Sequence, residues 1–212
     1  MVLVKLLSLN DLEDRFLEEG LNIVPRKKIS SIEDIKNFFD NNTPPFVIKG
    51  FSRKYSHKTE HGLIYLNVYS LEDLINKYKE IITKAEEVYI EKEVKGREFY
   101  ISFKKDHLYG NVVSFGKGGI DIELEKDVAF RLLPLNKEGI KDLILSTKYG
   151  FFLAKNKFRD IKYDIDKLAD VILKLYKIYK EENLLEMEIN PIIISSQKYW
   201  IVDVRALKEI TQ

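Results

Sequence analysis

Cysteine is absent from all 212 residues, and the chain has only three histidines, two methionines and one tryptophan. Without cysteine there are no disulfides, no thiolate metal sites and no cysteine nucleophile, which fits a cytoplasmic setting. A dominant charge is missing too. The 35 basic and 34 acidic side chains leave a formal charge of +1, so no global field draws DNA, RNA or anionic lipid. No apolar run approaches membrane-spanning length, and the opening MVLVKLLSLNDLEDRF is charged too soon for a signal peptide. What remains is the composition of a globular protein, 45% hydrophobic and 33% charged, long enough for one large domain or two lobes. Its richness in Lys, Glu and Ile points to a hot-living source.

Helical and strand patterns alternate along the chain. Asp11 to Glu19 reads as a helix with Leu12, Phe16 and Leu17 inward and Gly20 as its stop. Ser30 or Ser31 caps SIEDIKNFFD, whose Ile32, Ile35, Phe38 and Phe39 form one apolar face. PFVIK and GLIYLNV read as strands, and Ser70 opens a third helix with Asp73 at the capping spacing. From Val88 the strands VYIEKEV, REFYISF and NVVSFG follow in series and predict one antiparallel sheet. NKEGIKDLILSTKY, stopped by Gly150, and DIDKLADVILKLYKIYKEEN read as helices. The organisation is α+β: one unit over 1–212, with lobes over 21–87 and 88–212 and residues 1–20 packing on the larger lobe.

The last two strands carry the strongest chemical signal. If SSQK turns a hairpin between LLEMEINPIII and YWIVDVRAL, Ile194 faces Tyr199, and residues whose numbers sum to 393 stand opposite. Asn190 then faces Asp203, Glu188 faces Arg205, and the period of two puts all four on one face among apolar neighbours. Two readings stand. Glu188, Asn190 and Asp203 could meet a hard cation such as Mg²⁺, which takes oxygen ligands and substrate phosphates. Alternatively, Arg205 and Glu188 form an ion pair and Asn190 satisfies the turn.

His57 and His61 stand four apart, a spacing that would share a helix face and could hold a metal, but Gly62 argues against a helix there. Lys49 lies between Val47, Ile48 and Phe51, where a strand lysine either snorkels to solvent or serves a site. His107, in KDHLYG, reads as a turn residue, and GKGGI as a tight turn, since it lacks the order of a Walker loop.

Taken in order, VIK at Lys49, KGREF at Glu98, EINP and the strand bearing Asp203 resemble an ATP-grasp nucleotide-binding unit. Three stretches, PFVIKGFSRKYSHKTEHG, GNVVSFGKGGIDIELEKDVAFRLLPL, and LLEMEINPIII with IVDVRAL, resemble the beta subunit of ADP-forming acetyl-CoA synthetases. GGIDIE is also similar to the beta subunit of succinyl-CoA synthetase. The resemblance implies two lobes with ATP or ADP bound between them. It implies a phosphate role for Lys49, adenine recognition by the backbone of Glu91 to Val94, ribose binding by Glu98, and Mg²⁺ binding by Glu188, Asn190 and Asp203. It also makes His57 the loop histidine that carries a phosphoryl group, a role imidazole suits because its nitrogen is nucleophilic at neutral pH. His61 has no such counterpart. The chain departs from the family pattern at Glu60, Leu63 and Lys92.

The implied activity is that of an acetate–CoA ligase (ADP-forming) subunit: acyl-CoA, ADP and phosphate give acid, CoA and ATP. No CoA-binding lobe is legible, so a CoA-binding alpha subunit is the expected partner, in a heterotetramer with two copies of each. Two rivals come from other classes, a stand-alone ATP-grasp carboxylate–amine ligase and a non-catalytic nucleotide-sensing subunit.

Overall fold

A computed structural model describes residues 3–55, 60–119, 126–155, 158, 163–195 and 198–210. The chain forms two compact units, Val24–Val94 and a larger one made of Met1–Ile23 with Lys95–Gln212. Among the described residues, no helix is long and apolar enough to cross a membrane.

Among the described residues, the smaller unit is a four-stranded antiparallel sheet with two helices. Strands β2 (Arg26–Ile29), β3 (Phe46–Phe51), β4 (Ile64–Val68) and β5 (Glu87–Lys92) lie in the order β2-β5-β3-β4. Helix α2 (Ile32–Asp40) begins at Ser31, whose side chain accepts from the Asp34 amide while the Asp34 carboxylate accepts from the Ser31 amide. That reciprocal cap contributes about 1 kcal/mol. Helix α3 (Leu71–Ile81) starts at Ser70, which accepts from the Asp73 amide. Both helices set their apolar residues, Ile35, Phe38, Leu74 and Ile81 among them, on Phe46, Ile48, Val88 and Ile90 of the sheet. Strand alternation then sends Val47, Lys49, Tyr89 and Glu91 to the opposite face.

The larger unit is a seven-stranded antiparallel sheet backed by four described helices. Its strands are β1 (Leu3–Ser8), β6 (Arg97–Asp106), β7 (Gly110–Lys117), β8 (Val128–Leu132), β9 (Leu184–Ser195), β10 (Lys198–Ile201) and β11 (Val204–Ile210). They run in the order β1-β11-β9-β6-β7-β8, with β10 also on β9. Helices α1 (Leu9–Glu18), α4 (Lys137–Leu145), α5 (Lys148–Ala154) and α6 (Ile165–Glu181) share one core with Phe99, Ile101, Phe103, Val113, Phe115, Met187 and Ile189. The sheet's other face carries Tyr100, Ser102, Ser114, Glu186 and Glu188.

Several sequence expectations change. VYIEK does not open the larger sheet. It pairs with β2 and β3, and the chain leaves the smaller unit at Val94 rather than near Val88. An alternating strand looks the same whichever sheet receives it, so only the long-range partners decide. NKEGIKDLILSTKY is two helices: Thr147 caps the second, and Gly150 lies inside it where a Cβ would strike the Ile144 carbonyl. Leu17 and Ile32 point outward. Gly20 takes φ of +68° just past α1, as a helix stop requires.

Candidate functional site

The hairpin register is the one the sequence count predicts. Tyr199 pairs with Ile194, Val204 with Ile189 and Arg205 with Glu188, and the Asn190 amide donates to the Asp203 carbonyl at 3.2 Å. The strands are nonetheless interrupted at this level. On the β6 side the register shifts between Phe99 and Ile101, so Asn190 and Pro191 together stand opposite Tyr100. The inward residues of β9 accordingly change from Met187 and Ile189 to Ile192 and Ile194. Across the hairpin, Val202 and Asp203 separate β10 from β11. Such an extra residue re-aims side chains, and here it gathers polar ones.

Glu188, Asn190 and Asp203 therefore converge. The Asn190 side chain is hydrogen-bonded to Glu188. Burial raises the Glu188 carboxyl above its ordinary range, Glu186 and Asp203 raise it further, and Arg205 opposes them. The Val204 amide donates to Asp203 Oδ1 at 3.1 Å, and two carboxylates with an amide oxygen are donor types that a hard divalent cation takes. The ion-pair reading survives in part, since Arg205 does act on Glu188 across the ladder. Among the described residues no three His, Asp or Glu side chains form a metal cluster; the candidate set is two carboxylates and an amide oxygen.

The glycine turn after β7 completes this corner. The Gly118 amide donates to the Glu98 carbonyl at 2.9 Å, and the Gly119 amide to Asn190 Oδ1 at 2.9 Å. Gly119 has φ of +82°, and a Cβ there would collide with Glu98 Oε2. Glu98, Asn190 and the turn are thus held in one place, so GKGG is more than the tight turn its wording predicts. Tyr100, Ser102 and Ser114 were missed by sequence reasoning. Ser102 stands across from both Glu188 and Ser114, and the Tyr100 hydroxyl bonds to both serines. Their alternation with Phe99, Ile101 and Phe103 was the available signal.

In the smaller unit, Lys49 does not snorkel. It is 6% exposed, and its Nζ lies 2.7 Å from Oε1 of Glu91, which is 1% exposed. Glu91 sits in the central strand β5, and the next two amides, Lys92 and Glu93, donate to the Pro25 and Pro45 carbonyls. The side chain of Glu91, rather than its backbone, is its chemically distinctive part. Val94 is the last residue of this unit.

The loop histidine His57 lies outside the described residues. His61 packs on Tyr55 with ring centroids 4.5 Å apart, and Lys84 donates to its carbonyl. Tyr55, Glu60, His61, Gly62 and Lys84 line a cavity of about 310 Å³. His107 lies in the β6–β7 turn, where the Asp106 carboxylate accepts from the Leu108 and Tyr109 amides.

The profile of the ATP-grasp domain family matches residues 9–207. The chain is 32% identical over 164 residues to acetate–CoA ligase (ADP-forming) II of Archaeoglobus fulgidus, covering 76% of this chain and 24% of that protein. It thus spans about a quarter of that relative's length. It is 27% identical to the beta subunit of acetate–CoA ligase (ADP-forming) II of Pyrococcus furiosus, covering 82% of this chain and 79% of the subunit. Among solved structures it is similar to the dinucleotide-forming acetyl-coenzyme A synthetase 1 of Ca. Korarchaeum cryptofilum. That protein was captured with coenzyme A and Mg-AMPPCP, its phosphohistidine segment pointing towards the nucleotide binding site. The match has a TM-score of 0.76 at 27% identity and covers 93% of this chain and 90% of that one.

Proposed function

The chain belongs to the ATP-grasp domain family, whose profile spans nearly all of it, and from that premise we propose that it is the nucleotide-binding beta subunit of an ADP-forming acyl-CoA synthetase. One observation carries the reading: Glu188, Asn190 and Asp203 meet at the interrupted hairpin beside Glu98 and the Gly119 amide.

The side chains divide the work. Lys49 is assigned to the phosphates of ADP or ATP, where its charge offsets theirs during in-line transfer. Glu98 is assigned to the ribose hydroxyls and the backbone at Val94, just past β5, to adenine, the Lys92 and Glu93 amides being taken by the Pro25 and Pro45 carbonyls. Glu188, Asn190 and Asp203 would hold Mg²⁺, which when bound supplies charge neutralisation for the transferring phosphoryl group. The His57 imidazole nitrogen attacks the phosphorus of an acyl phosphate, releasing the carboxylate. The new P–N bond then breaks as a β-phosphate oxygen of ADP attacks, giving ATP. Acyl-CoA and phosphate would be turned into acyl phosphate and CoA on a CoA-binding alpha subunit, for which an assembly of two alpha and two beta chains is the proposed form.

Labelled phosphate tests this. The chain, its alpha partner, acyl-CoA and labelled phosphate, without ADP, are expected to leave acid-labile, base-stable label on His57, which ADP then discharges. His57→Asn should keep nucleotide binding and lose turnover, while His61→Asn stays active. An active His57→Asn enzyme would remove the histidine from the route. Coupling of an acid to an amine by the chain alone would replace the reading with a carboxylate–amine ligase.

A further inference from the structure

Three neighbouring strands of the smaller sheet, in the order β2-β5-β3, place Arg26, Glu91 and Lys49 on one face. Arg26 is the direct register partner of Glu91, and its guanidinium lies 4.9 Å from the centre of the Tyr89 ring. On the other side, Lys49 Nζ is 2.7 Å from the Glu91 carboxylate. Both members of that pair are withdrawn from water, at 6% and 1% exposure, so their interaction is weakly screened. The Glu91 carboxylate, on Lys49 and across the ladder from Arg26, thus stands where an anion bound by Lys49 would go.

We propose that Glu91 is the resident counter-ion of this site, displaced from Lys49 by the phosphate of the incoming nucleotide, so that the smaller unit admits polyphosphates and refuses weaker anions. The inference rests on the assignment of Lys49 to nucleotide phosphate. A polyphosphate brings more negative charge to the ammonium than one carboxylate does, whereas a singly charged anion gains little by the exchange. Phosphate and Glu91 repel each other if both remain on Lys49. The carboxylate therefore turns to Arg26, its partner across the ladder. Glu91 is thus a positioning and selectivity residue and forms no bond to the reacting atoms.

Glu91→Gln keeps the shape and removes the charge, taking the carboxylate away from the buried Lys49 and the half-buried Arg26. The full-length variant is expected to melt about 5 °C below the wild type without ligand. Its affinity for ADP, measured by calorimetry with Mg²⁺ present, should tighten about tenfold, and ADP should raise its Tm more than it raises that of the wild type. Sulfate at millimolar concentration should raise the Tm of the variant and leave the wild type unmoved. A purely structural ion pair would lower Tm equally with and without ADP and would not tighten binding, and that result overturns the proposal. Glu91→Asp retracts the charge by one methylene and should shift affinity in the same direction by less, which keeps the test open if the glutamine variant does not fold. Lys49→Met separates the two levels. ADP affinity unchanged in that variant would sink the lysine assignment and the proposal with it. Weakened affinity there, without tightening in the Glu91 variants, would sink the proposal alone.

Discussion

The two units bury charge on one face of a sheet and resolve it in opposite ways. In the smaller unit Lys49 meets Glu91 at 2.7 Å, and the register sets Arg26 across from the same carboxylate. In the larger unit Glu188 lies near Glu186 and Asp203, with Arg205 opposing them only in part, and its carboxyl is pushed up by burial and by that repulsion. The first site holds its counter-charge within the unit, whereas in the second the Arg205 charge offsets burial and repulsion only in part. On the proposed function, the first pair would trade partners with a phosphate and the second set would take a cation.

The sharpest way to break this contrast is to remove one partner of the satisfied pair. Lys49→Met leaves Glu91 buried with one fewer cation and should lower the unfolding free energy by about 3 kcal/mol, read by urea denaturation. A change below about 1 kcal/mol would place the pair in the class of surface ion pairs. The carboxylate-rich site of the larger unit should respond in the other direction. Asp203→Asn is expected to weaken Mg²⁺-dependent ADP binding about tenfold in calorimetry while thermal stability stays level or rises, because repulsion on Glu188 is relieved. Unchanged affinity in the folded variant would make the hairpin structural.

The smallest effect concerns pH. Because the folded state raises the Glu188 pKa above its ordinary 4.5, the folded protein holds that proton more tightly than the unfolded chain does. Its contribution to stability is present below about 4.5 and is lost as pH rises through the elevated folded value. Glu188→Gln cannot lose that proton, so its Tm should gain on the wild type across this window and stay ahead at neutral pH. Parallel pH profiles for the two proteins would show that Glu188 ionises without cost. Asp34 in the smaller unit works with the opposite sign. Hydrogen bonds from the Ser30 backbone and Ser31 lower its pKa, so its stabilisation is lost on acidification below the ordinary 3.8.

The same contrast explains what the sequence made legible. The hairpin register could be counted in advance because its pairing is local, and one turn fixes every partner from Leu207 opposite Glu186 to Lys198 opposite Ser195. The Lys49–Glu91 pair could not be counted, since it joins strands about forty residues apart and β5 carries no mark of the sheet it enters. Caps at Ser31 and Ser70 were readable for the same local reason. Tyr100 escaped notice because its position matters only opposite the extra residue at Asn190–Pro191, a feature visible only once β6 and β9 are paired.

That extra residue sits in β9, which is held by β6 on one flank and by β10 and β11 on the other. Loop-borne ligands would surrender conformational freedom each time a cation arrived, on the order of 1 kcal/mol for every side chain immobilised. Here the Asn190 amide is already tied to the Asp203 carbonyl and the Asn190 side chain to the Gly119 amide, so much of that entropy is lost once, during folding. The corner is preorganised, so a cation held there as proposed would arrive and leave without reordering the chain.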